Sequence, residues 1–194
     1  AVETARRSLA APPPVDLSLK PGEDSAIWAE RLGGDSLQPG HVRIAAGRRI
    51  VDLPGYDEGS WWVQDIAASL PARLAGTSDG RTALDLCAAP GGKTMQLAAA
   101  GWHVTAVDQS EPRLERLREN LERTRLSADI HVADAASFNS ERLFDLVLLD
   151  APCSATGIFR RHPDVLHRAT ARIIADAAEQ QLRLIAHATS LVAP

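Results

Sequence analysis

Two hydrophobic patterns divide the chain. In the second half, short runs of apolar residues alternate with stretches in which apolar positions recur every three or four residues. The runs at 83–86, 103–107, 129–132 and 144–150 have the length and turn-bounded character of strands buried in a parallel sheet. The segments 95–100, 113–125 and 169–189 have helical spacing; in the second of these Leu114, Leu117 and Leu121 face inward beneath a Glu/Arg surface, a solvated face with charge pairs along it. Alternation of strand and helix predicts an α/β domain with a Rossmann-like sheet, starting near Ala75.

The first half is patterned differently. Residues 1–13 look like the tail of a helix running into Pro12-Pro13-Pro14, and Ala1 in place of an initiator Met suggests an upstream stretch. Residues 15–20 alternate as a half-buried strand, and Pro21-Gly22 turns the chain. Residues 23–32 fit a short helix with Ile27, Trp28 and Leu32 inward, stopped by Gly33-Gly34. Residues 41–45 and 49–53 read as a hairpin around Gly47. Trp61 and Trp62 sit at a loop-to-helix junction as core anchors, and a helix to Leu74 follows with Ile66, Leu70 and Leu74 four apart. The expected organisation is thus a tail (1–13), a small α+β appendage with a connecting helix (14–74) and an α/β domain (75–194).

Candidate chemistry begins where strand 83–86 breaks. Cys87-Ala88-Ala89-Pro90-Gly91-Gly92-Lys93 is a small-residue loop that restarts as a helix, the way α/β sheets build nucleotide sites at a helix N-terminus. Gly92-Lys93-Thr94 invites a phosphate loop, but Cys87 stands where that motif needs its leading glycine, and G-x-G-x-x-G is absent. A loop without a phosphate cradle suits a ligand carrying an amino acid and a nucleoside, such as S-adenosylmethionine. Asp108 ends the next strand, 21 positions after Cys87, at the spacing of a ribose-binding carboxylate; it also stands where it could cap the helix near Glu111. Asp134 follows the third strand as an acceptor for an adenine amine, or as a simple turn residue.

With Asp150-Ala151-Pro152-Cys153-Ser154-Ala155-Thr156-Gly157 added, the sequence resembles the Sun (Fmu) type of RNA cytosine-5 methyltransferase, from about Pro14 to the end. The resemblance implies S-adenosylmethionine as cofactor and small-subunit ribosomal RNA as partner. It places Cys87 to Lys93, Asp108, Arg113, Asp134 and Asp150 at the cofactor, Asp150 and Cys153 in catalysis, and Arg160, Arg161 and His162 on the RNA backbone. In that family the attacking cysteine lies in a Thr-Cys-Ser motif after the fifth strand, and the cysteine matching Cys153 assists product release. No Thr-Cys-Ser occurs here. The expectation is therefore that the nucleophile and the last strands lie beyond residue 194, that strand 144–150 borders an open sheet edge, and that this stretch alone turns nothing over.

Composition changes this picture little. The net charge of −4 does not announce a nucleic-acid binder, although 19 of 21 basic residues are arginine, clustered at Arg43, Arg48 and Arg49 and again at Arg160-Arg161-His162. Only the second cluster is read as functional. No stretch approaches a membrane span, no signal peptide is evident, and two cysteines 66 positions apart make no metal cluster. A monomeric, metal-free protein of a reducing cytoplasm is expected. The competing readings are a non-catalytic RNA- or cofactor-binding module, a methyltransferase of another RNA such as tRNA, and an NTPase.

Overall fold

The computed structural model describes residues 12–158 and 164–194. Most of the 1–13 tail lies outside them. Two sheets organise the rest, a three-stranded antiparallel one and a four-stranded parallel one.

The antiparallel sheet contains β1 (Val15–Leu19), β2 (His41–Ile44) and β3 (Trp61–Val63), in the order β2-β1-β3. Helix α1 (Ser25–Leu32) covers it, capped by Asp24, whose carboxylate accepts from the N–H groups of Ala26 and Ile27. Leu17, Trp28, Leu32, Val42, Ile44 and Trp61 form its core. Two expectations fail here. Ile27 is 56% exposed, because Trp28 and Leu32, four apart, take the inward stripe. Residues 49–53 form no hairpin strand: Ile50–Asp52 is a 3₁₀ turn, and the second edge of β1 is taken by β3, which places the fully buried Trp61 in the core.

Helix α2 (Ile66–Leu74) links the sheets. Its large residues point outward, with Leu70 and Leu74 48% and 89% exposed, while Ser69 and Ala72 are buried. The expected helix is present, and its inward face is the one with the small residues. Small residues let α2 lie close against α3 (Gly92–Ala99), where the Gln96 amide donates to the Ser69 carbonyl.

The parallel sheet contains β4 (Thr82–Leu86), β5 (His103–Asp108), β6 (Asp129–Val132) and β7 (Leu146–Leu149), in the order β6-β5-β4-β7. Helix α4 (Glu111–Thr124) buries Leu114, Leu117 and Leu121 as expected. The short α5 (Val165–Arg168) precedes α6 (Ala171–Thr189), which Thr170 caps. Among the described residues β7 is an outer strand, as anticipated for 144–150. Its burial on both faces is not realised: Leu146, Val147 and Leu149 are half-buried, and α6 is the helix that packs on it. Just ahead of β7, Phe144 makes a parallel bridge with Val192.

The two sheets are firmly joined. The Gln64 carboxamide accepts from the Ser18 hydroxyl (2.8 Å) and the Trp62 indole (2.9 Å) and donates to Gln96 Oε1 (2.6 Å). Arg43, from the first arginine cluster, is spent on a bidentate pair with buried Asp16, whose Oδ2 also accepts from the Ile66 N–H. Burial pushes the Asp16 carboxyl upward, but Arg43 and the Ile66 N–H outweigh it and hold the group below its ordinary value.

Candidate active site

The C-terminal ends of β4, β5, β6 and β7 converge on one edge of the parallel sheet, where open α/β sheets bind ligands. Cys87 leaves β4 with a positive φ of 62°, an unusual conformation for a residue with a Cβ. The loop then turns at Gly91, φ 103°, where a Cβ would stand 2.1 Å from Leu117 Cδ1. Glycine is required there for both reasons. Helix α3 starts at Gly92 without a side-chain cap, which leaves its first N–H groups and its positive dipole end facing the loop.

Beneath the loop, Asp85 is fully buried. The Thr94 hydroxyl donates to its Oδ2 at 2.6 Å, and Oδ1 has no hydrogen-bond partner among the described residues. Burial pushes its carboxyl up to about 7, with Asp150 and Asp108 adding to the rise and Thr94 and Lys93 opposing it. Asp85 heads the loop motif in the sequence; that it is a fully buried acid beneath the loop is a tertiary property.

Asp108, 3% exposed, ties the loop to the second strand. Its Oδ2 accepts from the Ala89 N–H (3.1 Å) and pairs with Arg113 (3.2 Å), while Oδ1 accepts from the Ser110 N–H (2.9 Å). It therefore serves the entry to α4 and the loop together. Arg113 also donates to the Ala89 carbonyl. Cys87, Asp108, Arg113 and Asp134 meet in one narrow cleft of about 330 Å³ counted to its open mouth. Pro152, from the Asp150–Gly157 stretch, closes it together with Gln180 and Leu184 of α6, and no local motif announced the α6 pair. Ala88 and Ala89 are buried behind the loop and Pro90 is exposed.

Next to the cleft, Lys93 Nζ lies 2.6 Å from Asp150 Oδ2. The lysine side chain is 13% exposed and the carboxylate 58%, so the pair presents its acidic end outward. Cys153 follows three residues later and is exposed, its sulfur accepting from the Ala155 N–H at 3.3 Å. The Pro152 carbonyl is held by the Gln181 amide at 2.8 Å. Cys87 is a poor nucleophile: burial, then the charges of Asp108, Asp150 and Asp85, push its thiol up to about 11. Arg160, Arg161 and His162 lie outside the described residues. A larger cavity, about 1010 Å³ on the same count to its open mouth, sits beside α3 between Lys20, Pro39, Trp62 and Arg73, and holds none of the loop and motif residues.

Residues 73–194 match the family model described as 16S rRNA methyltransferase RsmB/F. The chain belongs to this family. A protein named ribosomal RNA small subunit methyltransferase B from Yersinia enterocolitica is 45% identical over 152 residues, 76% of this chain and 35% of the relative. The protein of that name from Serratia proteamaculans is 45% identical over 149 residues, 74% and 35% of the two chains. The chain thus spans about a third of the length of these curated relatives. Among solved structures, PH0851 superposes with a TM-score of 0.88 at 25% identity, covering 97% of this chain and 46% of that one. NSun6 from Pyrococcus horikoshii, solved with SFG, superposes with a TM-score of 0.68 at 25% identity, over 81% and 43%. The Rossmann-like methyltransferase fold and the membership inferred from the loop and the Asp150–Gly157 stretch stand. Among the described residues no helix is long and apolar enough to cross a membrane, and no group of His, Cys, Asp and Glu is arranged to hold a metal ion.

Proposed function

We propose that this protein takes part in the transfer of a methyl group from S-adenosylmethionine to the 5-carbon of a cytosine in small-subunit ribosomal RNA, through a covalent cysteine adduct. The observation that carries the reading is the Lys93–Asp150 pair beside Pro152-Cys153, at the mouth of a cleft lined by Asp108 and Asp134.

The residues fit the cofactor. Uncapped N–H groups at the start of α3 suit a carboxylate, Asp108 suits ribose hydroxyls, and the Asp134 oxygen not engaged by the Ala136 N–H suits an exocyclic amine. Once bound, S-adenosylmethionine supplies an electrophilic methyl group on a sulfonium.

The 5-carbon of cytosine is too weak a nucleophile to take that methyl unaided. A cysteine sulfur bonding to the 6-carbon pushes electron density onto the 5-carbon, which then accepts the methyl; a base next removes the proton from the 5-carbon, and the sulfur–carbon bond breaks to return the thiolate. Asp150 is placed to hold the base's polar edge, with Lys93 balancing its charge. Cys153 is the residue that assists release, and the attacking cysteine belongs to sequence beyond residue 194. The RNA backbone is assigned to Arg160, Arg161 and His162, and the antiparallel sheet lends a further RNA-facing surface.

The test is bisulfite sequencing of ribosomal RNA from the source organism with the gene deleted and restored. One cytosine of the small-subunit RNA should lose its 5-methyl group and regain it. If the small-subunit RNA keeps every 5-methylcytosine while a transfer RNA loses one, the substrate assignment fails; if no RNA changes, the catalytic reading fails.

A further inference from the structure

We infer that Gln180, on α6, reads the nucleobase of the cofactor and sets its specificity for adenine. The inference rests on the cofactor reading above. Leu184 lies one helical turn beyond Gln180 on the same face, and Leu184 shares a packed cluster with Ala135. That contact brings Gln180 over the rim of the cleft beside Asp134, which it lines together with Asp108 and Arg113. Gln181 fixes the helix from the other side through its bond to the Pro152 carbonyl, so the position of Gln180 is set by two neighbours.

The chemistry of the cleft leaves a task open for it. Asp108 and Asp134 can only accept hydrogen bonds when ionised, and Arg113 is committed to Asp108 and to the Ala89 carbonyl. Adenine presents an amino donor next to a ring-nitrogen acceptor. A carboxylate meets the first and cannot meet the second. The half-buried Gln180 carboxamide makes no hydrogen bond to any described residue and offers both a donor and an acceptor, the pairing by which Gln and Asn read adenine elsewhere. Gln109 also lines the cleft, but it is exposed and follows Asp108 directly in the loop ahead of α4.

Hypoxanthine is the discriminating probe, because it replaces the amino donor with an oxygen and protonates the adjacent ring nitrogen. Calorimetry would compare S-adenosylhomocysteine with S-inosylhomocysteine on the native protein, Gln180→Ala and Gln180→Glu. The native protein should prefer the adenosyl ligand, and Gln180→Ala should weaken that ligand roughly tenfold, the worth of one hydrogen bond, while shrinking the preference. Gln180→Glu, which keeps an acceptor and loses the donor, should fare no better. Equal affinity of the native protein and Gln180→Ala for the adenosyl ligand, with preference intact, overturns the role of Gln180 and leaves the cofactor reading standing. Absence of binding to the native protein overturns both. Unchanged melting temperatures of the variants separate recognition from folding, since Gln180 makes no hydrogen bond to a described residue whose loss would destabilise the fold.

Discussion

Lys93 and Asp150, 57 positions apart in sequence, meet at 2.6 Å where the loop after β4 faces the end of β7. The pair is open to solvent at its carboxylate end, 58% exposed, which screens it to about 1 kcal/mol of stability, so Lys93→Ala should melt within a few degrees of the native protein. Its effect on methyl transfer should be far larger, on the order of 10²-fold in single-turnover rate, because an unbalanced carboxylate would then face the reacting base. A variant that is strongly destabilised yet retains its rate per folded molecule would show that the pair is a structural clamp.

Asp85 gives the fold a signature in pH. Its carboxyl rises from an ordinary 3.8 to about 7, so the folded state favours the protonated form. The stabilisation from this group is complete below about pH 4 and is lost as pH climbs through about 7, with a slope approaching about 1.4 kcal/mol per unit between those limits. Asp85→Asn, which cannot ionise, should flatten that slope. Urea denaturation at pH 5, 6, 7 and 8 measures it; parallel slopes in the native and variant proteins would remove Asp85 as the cause.

The loop and its flanking strands were legible because their signals are local. A strand end, a glycine with a forced φ and an acid at the next strand end are each marked by a pattern only a few residues long, as Leu86, Gly91 and Asp108 show. The side chains that complete the cleft were not. Nothing in the run Glu179-Gln180-Gln181 distinguishes it from an ordinary helix surface, and only the return of α6 over β7 brings it to Pro152. Which face of a helix turns inward is hidden for a related reason. Ile66, Leu70 and Leu74 define a stripe by periodicity, but periodicity does not say which stripe a neighbouring helix will take, and α3 took the small one. The strand at Trp61 escaped notice because three residues are too few to show alternation.

Gly59 should behave as a joint between the two sheets. Its φ is 68°, and a Cβ there would lie 2.2 Å from the Arg123 carbonyl oxygen and 2.7 Å from Thr124 Cα, both backbone atoms of α4 that cannot yield. Arg123 in turn donates to the Tyr56 and Trp61 carbonyls. Gly59→Ala should cost about 2–4 kcal/mol, the scale of overpacking added to an unfavourable φ. Gly22→Ala is the control: its φ is 89° with open space around the added Cβ, and only the conformational term, about 1–2 kcal/mol, should appear. Equal losses in the two variants would mean that the contact with α4 contributes nothing.

Cys153 provides the sharpest division between mechanisms. It is exposed at the end of the loop that Gln181 steadies, with its sulfur held by the Ala155 N–H, and its removal should not disturb the fold. If Cys153 assists release, Cys153→Ala in the native gene product leaves attack and methylation intact and blocks only the breaking of the sulfur–carbon bond. Protein bound to RNA should then accumulate as a species that survives denaturing electrophoresis, and its formation should require S-adenosylmethionine if the methyl is transferred before the block. If instead Cys153 is the attacking sulfur, the same variant gives neither product nor adduct. Mass spectrometry of the trapped species locates the bonded cysteine, and a cysteine other than Cys153 and Cys87 is the expected result.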